Sequence, residues 1–289
     1  EADPPIHTEI RKQLEPWFKR PNAPEYQTAL TSVIKDRFQQ VRNMESFDAV
    51  HDLALPIQSY ALALLLNMPT KEAETWVSWG THVFHDGGDP RAKGRQLSDY
   101  IETQLERAQK YPGEDFFSAL TKMQIEGRAL SMDEMRGIAN LTFAGGRDTV
   151  IHIMTTILFY FTEHPDQLEV ICATERSLSQ AVEEFVRIVS PLTHIGRVCP
   201  SGADASGRTV AERDRVSLCW ASANFDETIF EEPHSIRLDR LRNPHLGFGS
   251  GRHMCLGSTQ ARAIMRKLMR YLHEHCLRYD VVSLEPNIE

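Results

Sequence analysis

Phe248-Gly249-Ser250-Gly251-Arg252-His253-Met254-Cys255-Leu256-Gly257 is a ten-residue stretch that sets one cysteine among glycines, directly before an amphipathic helix. Glycine permits positive backbone angles and lets the main chain approach a flat ligand closely. Cys255 falls at the predicted helix N-terminus, where amide N–H groups and the helix dipole favour an anionic sulfur. Phe248 can cover that sulfur against water and oxidation. We interpret the stretch as a loop that holds a thiolate.

Two other interpretations of Cys255 have to be weighed. A lone cysteine is commonly a small buried apolar residue, and the pair His253 and Cys255 could form half of a zinc site. A structural zinc ion needs four ligands, however, and the sequence contains no second Cys/His pair at ligand spacing. A ligand to a cofactor metal therefore explains the stretch better.

All ten positions resemble the haem-binding loop of the cytochrome P450 monooxygenases, Phe-Gly-x-Gly-x-His-x-Cys-x-Gly. The resemblance implies a mainly α cytochrome P450 fold, with a large helical domain, a long central helix over the haem and a minor β-sheet. It implies haem b, iron protoporphyrin IX, as the cofactor and the Cys255 thiolate as the protein ligand of its iron. The residues of this loop that it assigns to cofactor binding are Phe248, Gly249, Gly251, His253, Cys255 and Gly257.

A second motif, Gly145-Gly146-Arg147-Asp148-Thr149, lies within a predicted helix. Each glycine inside a helix costs about 1 kcal/mol relative to alanine, so two together need a reason. One reason is a tight helix crossing; the other is a local opening beside a small ligand, with the Thr149 hydroxyl bonded to the Gly145 carbonyl one turn back. The motif resembles the distal motif of the same family. That resemblance implies Gly145 beside the haem and Asp148 and Thr149 as the catalytic pair that relays protons to dioxygen.

Further positions in other parts of the chain also resemble the family. Glu184 and Arg187 lie three apart on one helix face and can pair, and with Arg240 they resemble a buried structural triad that holds the cysteine loop. Haem propionates need cationic or hydrogen-bonding partners. The resemblance assigns this role to His7 and Arg11 on the first helix, to Arg197 and to His253, although each alone could be a solvated surface group.

Helical patterns dominate the rest of the chain. Asp3 followed by two prolines predicts an N-cap and a helix through Phe18. A capping box at Ser131-Met132-Asp133-Glu134 predicts one helix up to His164-Pro165, about thirty residues and roughly 45 Å long. The other predicted features are several helices in residues 25–127, broken at Pro56, Pro69, Asp86-Gly87-Gly88-Asp89-Pro90 and Tyr111-Pro112-Gly113; a helix over Gln180 to Val189; short strands over 196–206, 207–210 and 216–220; and a final helix from Gly257 to about Cys276 with Ala261, Ile264, Leu268 and Leu272 on its apolar face.

Composition excludes some function classes. The 289 residues carry a formal net charge of −8, which argues against general nucleic-acid binding. No run reaches the ~18 apolar residues that span a bilayer, and the first residues lack the basic and apolar regions of a signal peptide. The five cysteines show no disulfide spacing. We expect a single domain over residues 1–289, located in the cytoplasm, that lacks the N-terminal segment and C-terminal β-hairpin of the family.

The resemblance implies a monooxygenase that inserts one atom of dioxygen into a small organic substrate. Its electrons would come from a ferredoxin or similar acidic donor, and indirectly from NAD(P)H. Four basic residues and no acid lie between Gly257 and Tyr271, namely Arg262, Arg266, Lys267 and Arg270, and form either a solvated face or a docking patch for that donor. Residues 141–145 and 192–195 are expected to face a mostly apolar substrate. A peroxide-using peroxygenase and a non-catalytic haem sensor are the alternatives; the acid–alcohol pair Asp148 and Thr149 argues against the first, and turnover with redox proteins would exclude the second.

Overall fold

A computed structural model describes residues 2–81, 90–205 and 207–285 of the chain. Within these residues there are twelve α-helices and six short strands, so the prediction of a mainly α fold with a minor β part is confirmed. The helices and strands group in two compact units, Glu1–Leu168 with Leu256–Glu289 (unit 1) and Glu169–Cys255 (unit 2). The single domain expected from the sequence remains a prediction.

Unit 1 is helical apart from one small hairpin. Its helices are α1 (Ile6–Lys19), α2 (Pro24–Val41), α3 (Leu55–Leu66), α4 (Thr70–Ser78), α5 (Pro90–Lys110), α6 (Phe116–Leu120), α7 (Met132–Gly146), α8 (Asp148–Glu163) and α12 (Ser258–Glu274), and the strands β1 (Gln124–Ile125) and β2 (Arg128–Ala129) pair antiparallel. The helix α9 (Gln167–Cys172) runs across the sequence boundary between the units.

Helix α12 packs against four other helices of unit 1, namely α1, α2, α3 and α8. The four residues predicted for its apolar face, Ala261, Ile264, Leu268 and Leu272, are all buried. Its extent, Ser258–Glu274, also agrees with the predicted final helix. The apolar side of α12 therefore supplies much of the core on which the candidate site residues of unit 1 are mounted.

The helical stretch Ala49–Leu66 is apolar enough, by length and composition, to cross a membrane. It consists of a π-helical turn, Ala49–Ala54, followed directly by α3. Two thirds of this stretch (67%) is buried inside the protein. A core helix can have the same length and apolar composition, and burial of this kind is typical of one.

Unit 2 consists of α10 (Glu175–Val189), α11 (Trp220–Asn224) and two antiparallel strand pairs. Strand β3 (His194–Val198) pairs with β6 (Arg215–Cys219), and β4 (Ala203–Ala205) pairs with β5 (Arg208–Val210). Long loops connect these elements, and the cysteine loop is the last of them. The predicted strand regions are thus confirmed, except that Trp220 begins α11 rather than ending a strand.

Several predicted boundaries need correction. The N-cap of α1 is Pro5, and Asp3 lies outside the helix, where its carbonyl accepts a hydrogen bond from the His7 amide at 3.1 Å. Pro56 does not separate two helices but occupies the first turn of α3, where its missing N–H has no cost. Helix α10 begins five residues before Gln180, because Thr174 and Ser177 cap it reciprocally.

The largest correction concerns the long helix predicted from Ser131. Its capping box is present, with Ser131 and Glu134 exchanging hydrogen bonds, but the helix is interrupted at Arg147. Arg147 has φ −110° and ψ −84°, outside the α-helical region, so α7 ends at Gly146 and α8 begins at Asp148. Of the predicted turn Asp86-Gly87-Gly88-Asp89-Pro90, only Pro90 is within the described residues, as the first residue of α5.

Candidate functional site

The cysteine loop of unit 2 is closed by a hydrogen bond from the Cys255 amide to the Phe248 carbonyl, 2.8 Å long. Gly249 and Gly251 have φ of +66° and +69°, the left-handed region that favours glycine, as the sequence predicts. Residues Gly251–His253 form one 3₁₀ turn. The loop therefore returns the cysteine to the phenylalanine that starts it and leaves Cys255 half-buried.

A close approach of two backbones fixes the entrance to this loop. A Cβ atom at Gly247 would lie 2.6 Å from Val186 Cγ1 and 2.9 Å from the Val186 carbonyl oxygen, so only glycine fits there. The Gly247 amide donates to His245 Nδ1 at 3.1 Å. The other ring nitrogen of His245 lies 2.9 Å from a Glu183 carboxylate oxygen. This arrangement assigns the neutral imidazole with its proton on Nε2, since Nδ1 accepts and Nε2 donates.

Asn224, a buried residue at the end of α11, supports the same entrance. Its side-chain oxygen accepts a hydrogen bond from the Leu246 amide at 2.6 Å, and its side-chain nitrogen donates to the Ser190 hydroxyl at 2.8 Å. Beneath the loop, the Trp220 ring lies 3.2 Å from where a Cβ atom of Gly249 would be. None of these supports lies within the sequence motif, and only the long-range contacts of the fold reveal them.

The predicted triad of Glu184, Arg187 and Arg240 is present and buried. Arg187 makes two hydrogen bonds to the Glu184 carboxylate, of 2.8 and 2.9 Å, and Arg240 Nε makes a third of 3.1 Å. Burial alone would raise the pKa of Glu184, but the bonds from Arg187, the Arg237 amide and Arg240 outweigh it and hold this pKa below its usual range. The carboxylate therefore stays ionised inside unit 2.

Two predicted propionate partners also lie in unit 2. Arg197 is half-buried in β3, opposite Val216 of β6, and its guanidinium donates to the Gly196 carbonyl at 2.8 Å. His253 is exposed in the 3₁₀ turn of the cysteine loop. Their role as haem partners remains a prediction.

In unit 1, the second motif surrounds the interruption between α7 and α8. The Thr149 hydroxyl donates to the Gly145 carbonyl at 3.1 Å, which confirms the predicted hydrogen bond. The buried side chain of Gln58, on α3, donates to the Gly146 carbonyl at 2.5 Å. Two successive carbonyls of α7 are thus bonded by side chains at the point where the helix stops.

The two glycines are not there for a close helix crossing. A Cβ atom at Gly145 would meet nothing within 4 Å among the described residues, and one at Gly146 would meet only Leu62 Cδ1 at 3.6 Å, an ordinary contact. Gly145 is exposed, and so is the Leu141 side chain one turn earlier, at 70% of its surface. Of the two explanations for the glycines, the structure favours a local opening on this side of α7.

The remaining candidates of unit 1 are His7, Arg11 and Gly257. His7 and Arg11 are half-buried and lie one turn apart on α1. Gly257 is the N-cap residue of α12, and its carbonyl accepts the first helical hydrogen bond, from Ala261 at 3.1 Å. The candidate residues therefore divide equally between the units. Unit 1 holds His7, Arg11, Gly145, Asp148, Thr149 and Gly257, and unit 2 holds Arg197, Phe248, Gly249, Gly251, His253 and Cys255.

The donor set of unit 2 fits a haem better than a bare metal ion. The described residues include no group of three or more His, Cys, Asp and Glu side chains that could hold a metal together. A metal at Cys255 therefore has to bring most of its ligands with it, as an iron porphyrin does. The closed glycine loop offers one sulfur ligand, and the exposed His253 and half-buried Arg197 offer donors for carboxylates.

Comparison with known proteins gives consistent matches. The family model "Cytochrome P450" matches residues 176–277. A solved structure described as that of a carbohydrate active P450 superposes with a TM-score of 0.89 at 46% identity, covering 95% of this chain and 71% of its own. Putative cytochrome P450 YjiB of Bacillus subtilis (strain 168) is 25% identical over 95% of this chain and 74% of its length. Linalool 8-monooxygenase of Pseudomonas putida is 26% identical over 97% of this chain and 71% of its length.

Proposed function

This chain belongs to the cytochrome P450 family, and from that membership we propose that it is a haem-thiolate monooxygenase whose iron is ligated by Cys255. The family members it resembles include named monooxygenases, oxidoreductases that incorporate molecular oxygen. The observation that carries the proposal is the loop closed between Cys255 and Phe248, with two glycines at positive φ. Haem b, when bound, supplies the activation of dioxygen and the insertion of one oxygen atom into the substrate.

The residues proposed to bind the cofactor are those of the cysteine loop and the predicted propionate partners. Cys255 provides the thiolate, and Gly249 and Gly251 give its loop the positive φ angles that residues with side chains rarely adopt. The carboxylates of the haem would be held by charge-assisted hydrogen bonds from Arg197 and His253 of unit 2 and from His7 and Arg11 of unit 1. A cytoplasmic location agrees with a protein that keeps a reactive thiol reduced.

Asp148 and Thr149 are proposed to hold and move protons. Asp148 opens α8 and is half-buried, and its carboxyl group is the proposed proton source. The Thr149 hydroxyl already donates its hydrogen to the Gly145 carbonyl, so its oxygen presents lone pairs that accept a further hydrogen bond. The pair thus combines a proton source with a fixed acceptor at the exposed side of Gly145.

Cys255→Ser should abolish the red-shifted Soret band of the reduced carbon monoxide complex, because a serine oxygen is not a thiolate ligand. Cys219→Ser is the matched control. Cys219 accepts a hydrogen bond from the Ser222 amide at the start of α11, a role that serine fills well. The control should keep the band. A band that survives in Cys255→Ser would exclude the assignment.

Thr149→Ala should leave haem content and the thiolate spectrum unchanged while lowering the product formed per NAD(P)H consumed and raising peroxide. Asp148→Asn should slow turnover by about 10²-fold, the low end for a general acid–base group. The matched control is Thr156→Ala, which removes the same kind of hydroxyl, bonded to the His152 carbonyl, two turns later on α8. If Thr149→Ala and Thr156→Ala formed equal amounts of product per NAD(P)H consumed, the result would contradict the proton-delivery role.

Two substrate classes have support. The exposed side chains of Leu141 in unit 1 and Leu192 in unit 2 agree with the mostly apolar substrate that the sequence predicts. A carbohydrate is supported by the 46% identity to a carbohydrate active P450 over 95% of this chain. The exposed Thr193 and His194, whose side chains are joined by a hydrogen bond of 3.0 Å, add polar groups beside Leu192. We give the carbohydrate precedence because the identity to the carbohydrate active P450, 46%, is higher than the 26% identity to linalool 8-monooxygenase over a similar share of this chain.

Titration of the ferric haem protein should therefore give a spin-state shift with mono- or oligosaccharides, and no comparable shift with terpenes or steroids. Absorbance spectroscopy measures the shift, because a substrate that displaces water from the iron changes the Soret maximum. A shift with terpenes or steroids alone would favour the apolar substrate and overturn the carbohydrate.

For the electron donor, we propose a ferredoxin or similar acidic protein that meets the basic residues of α12. Arg262, Arg266, Lys267 and Arg270 are half-buried along this helix. Reversing Arg266 and Lys267 to glutamate should slow reduction by the donor but not by dithionite, and raised salt should act in the same way by screening. Lys122→Glu, an exposed lysine elsewhere in unit 1, is the control. If the rate of reduction by the donor changed neither with salt nor with charge reversal, the basic residues of α12 would be an ordinary solvated face.

A further inference from the structure

We propose that Arg147 is a positioning residue, whose guanidinium holds the interruption between α7 and α8 and thereby orients Asp148 and Thr149. The proposal rests on the proposed function of that pair. It adds Arg147, a residue of the second motif to which the resemblance assigns no role. Three sets of contacts within unit 1 support this role.

The first is the burial of the guanidinium at the end of α4. Only 2% of the Arg147 surface is exposed, and its Nη2 donates to the carbonyl oxygen of Trp76 at 2.6 Å and to that of Gly80. Because α4 ends at Ser78, these carbonyls belong to its C-terminal end, where a cation is favoured. The Nε atom of Arg147 has no hydrogen-bond partner among the described residues. Among the residues that the structure describes, the side chain is therefore anchored by backbone oxygens rather than by a bonded carboxylate.

The second contact is aromatic and lies one turn earlier on α7. The Phe143 ring packs edge-on against the Trp76 ring, with centroids 4.9 Å apart and an interplanar angle of 87°. The last turn of α7 thus contacts Trp76 twice, through Phe143 at its ring and through Arg147 at its carbonyl. The ring contact tolerates sliding and rotation, whereas the hydrogen bond sets a direction. Arg147 is the contact that can fix where α7 ends.

The third is the backbone at the interruption itself. Arg147 has φ −110° and ψ −84°, and its carbonyl accepts hydrogen bonds from the amides of both Val150 and Ile151, each 3.2 Å long. The first turn of α8 is therefore built on the Arg147 carbonyl. The side chain and the carbonyl of one residue join the end of α4 to the start of the helix that carries Asp148 and Thr149.

The chemistry of arginine suits this task. The planar guanidinium fixes the directions of its N–H groups, whereas the three donors of a lysine ammonium rotate and are more strongly hydrated. Burial lowers the pKa of Arg147 to about 10, and the neighbouring Asp148 carboxylate opposes part of that lowering. The group therefore stays protonated at neutral pH and keeps all of its donors.

The test compares Arg147→Met and Arg147→Lys with the matched control Arg136→Met, all in the full-length haem protein. Arg136 lies on the same helix, but its partners, Glu102 and Asp133, are at the surface. We expect Arg147→Met to keep the thiolate band while amide hydrogen exchange at Val150 and Ile151 rises by about tenfold or more. Product formed per NAD(P)H should fall by about tenfold, because the proton-delivering groups lose their orientation. In Arg147→Lys, amide hydrogen exchange and product formed per NAD(P)H should both lie between those of Arg147→Met and the wild type. Arg136→Met should match the wild type.

Other outcomes would overturn the proposal. If Arg147→Met kept the wild-type rate of amide hydrogen exchange and the wild-type yield of product per NAD(P)H, then Phe143 and Gln58 would hold the interruption without the guanidinium. A lower melting temperature with unchanged coupling per haem would mean that Arg147 only stabilises the fold. If Arg147→Met does not fold, Arg147→Lys decides by the same two measurements, with wild-type values in both overturning the proposal. A wild-type protein without the thiolate band would instead contradict the proposed function, and hydrogen exchange would still test the role of Arg147.

Discussion

Glu184 has a carboxylate without solvent contact, and the organisation of unit 2 depends on how that charge is neutralised. Five hydrogen bonds reach it, from Arg187 twice, from Arg240, from the Arg237 amide and from the Asn243 side chain. Breaking a buried ion pair by removing one partner typically costs about 3–5 kcal/mol, because the other charge stays buried. The segment that leads to the cysteine loop therefore has one favourable arrangement around this carboxylate.

The two arginines extend that constraint along the chain. The guanidinium groups of Arg187 and Arg240 use their remaining donors on backbone carbonyls, those of Asn224, Pro233, Ser235 and Glu231. Because Asn224 also binds the Leu246 amide, the order imposed by one carboxylate reaches to within two residues of Phe248. The depressed pKa of Glu184 means that this contribution to stability is complete at neutral pH. It is lost only as the pH falls through that depressed value, when the carboxylate becomes protonated in the folded protein.

The sequence predicted those features that depend on local chemistry. The capping box at Ser131 and the hydrogen bond of Thr149 to Gly145 join residues within four positions of one another, and successive residues of the apolar face of α12 are three or four positions apart; all three features are present. A local opening at Gly145 and Gly146 was one of the two explanations that the sequence offered, but a break of the helix at Arg147 was not predicted. The apolar periodicity continues through it, and the cause lies in carbonyls of Trp76 and Gly80, which are about seventy positions away. Tertiary contacts overrode local propensity there.

Gly247 and the glycines of the cysteine loop also differ in whether local backbone conformation or a long-range contact requires them. In the sequence they are equivalent, but Gly251 is required only for its positive φ, because a Cβ atom would meet open space. Gly249 combines a positive φ with the nearby Trp220 ring, and Gly247 has no positive φ but lies against the Val186 backbone. The motif includes Gly249 and Gly251, whose positive φ shapes the loop itself, and leaves out Gly247, which is needed for the contact with a distant segment. The residues that support a site from outside its motif contact segments that are distant in the sequence. They can therefore be identified only from the folded structure.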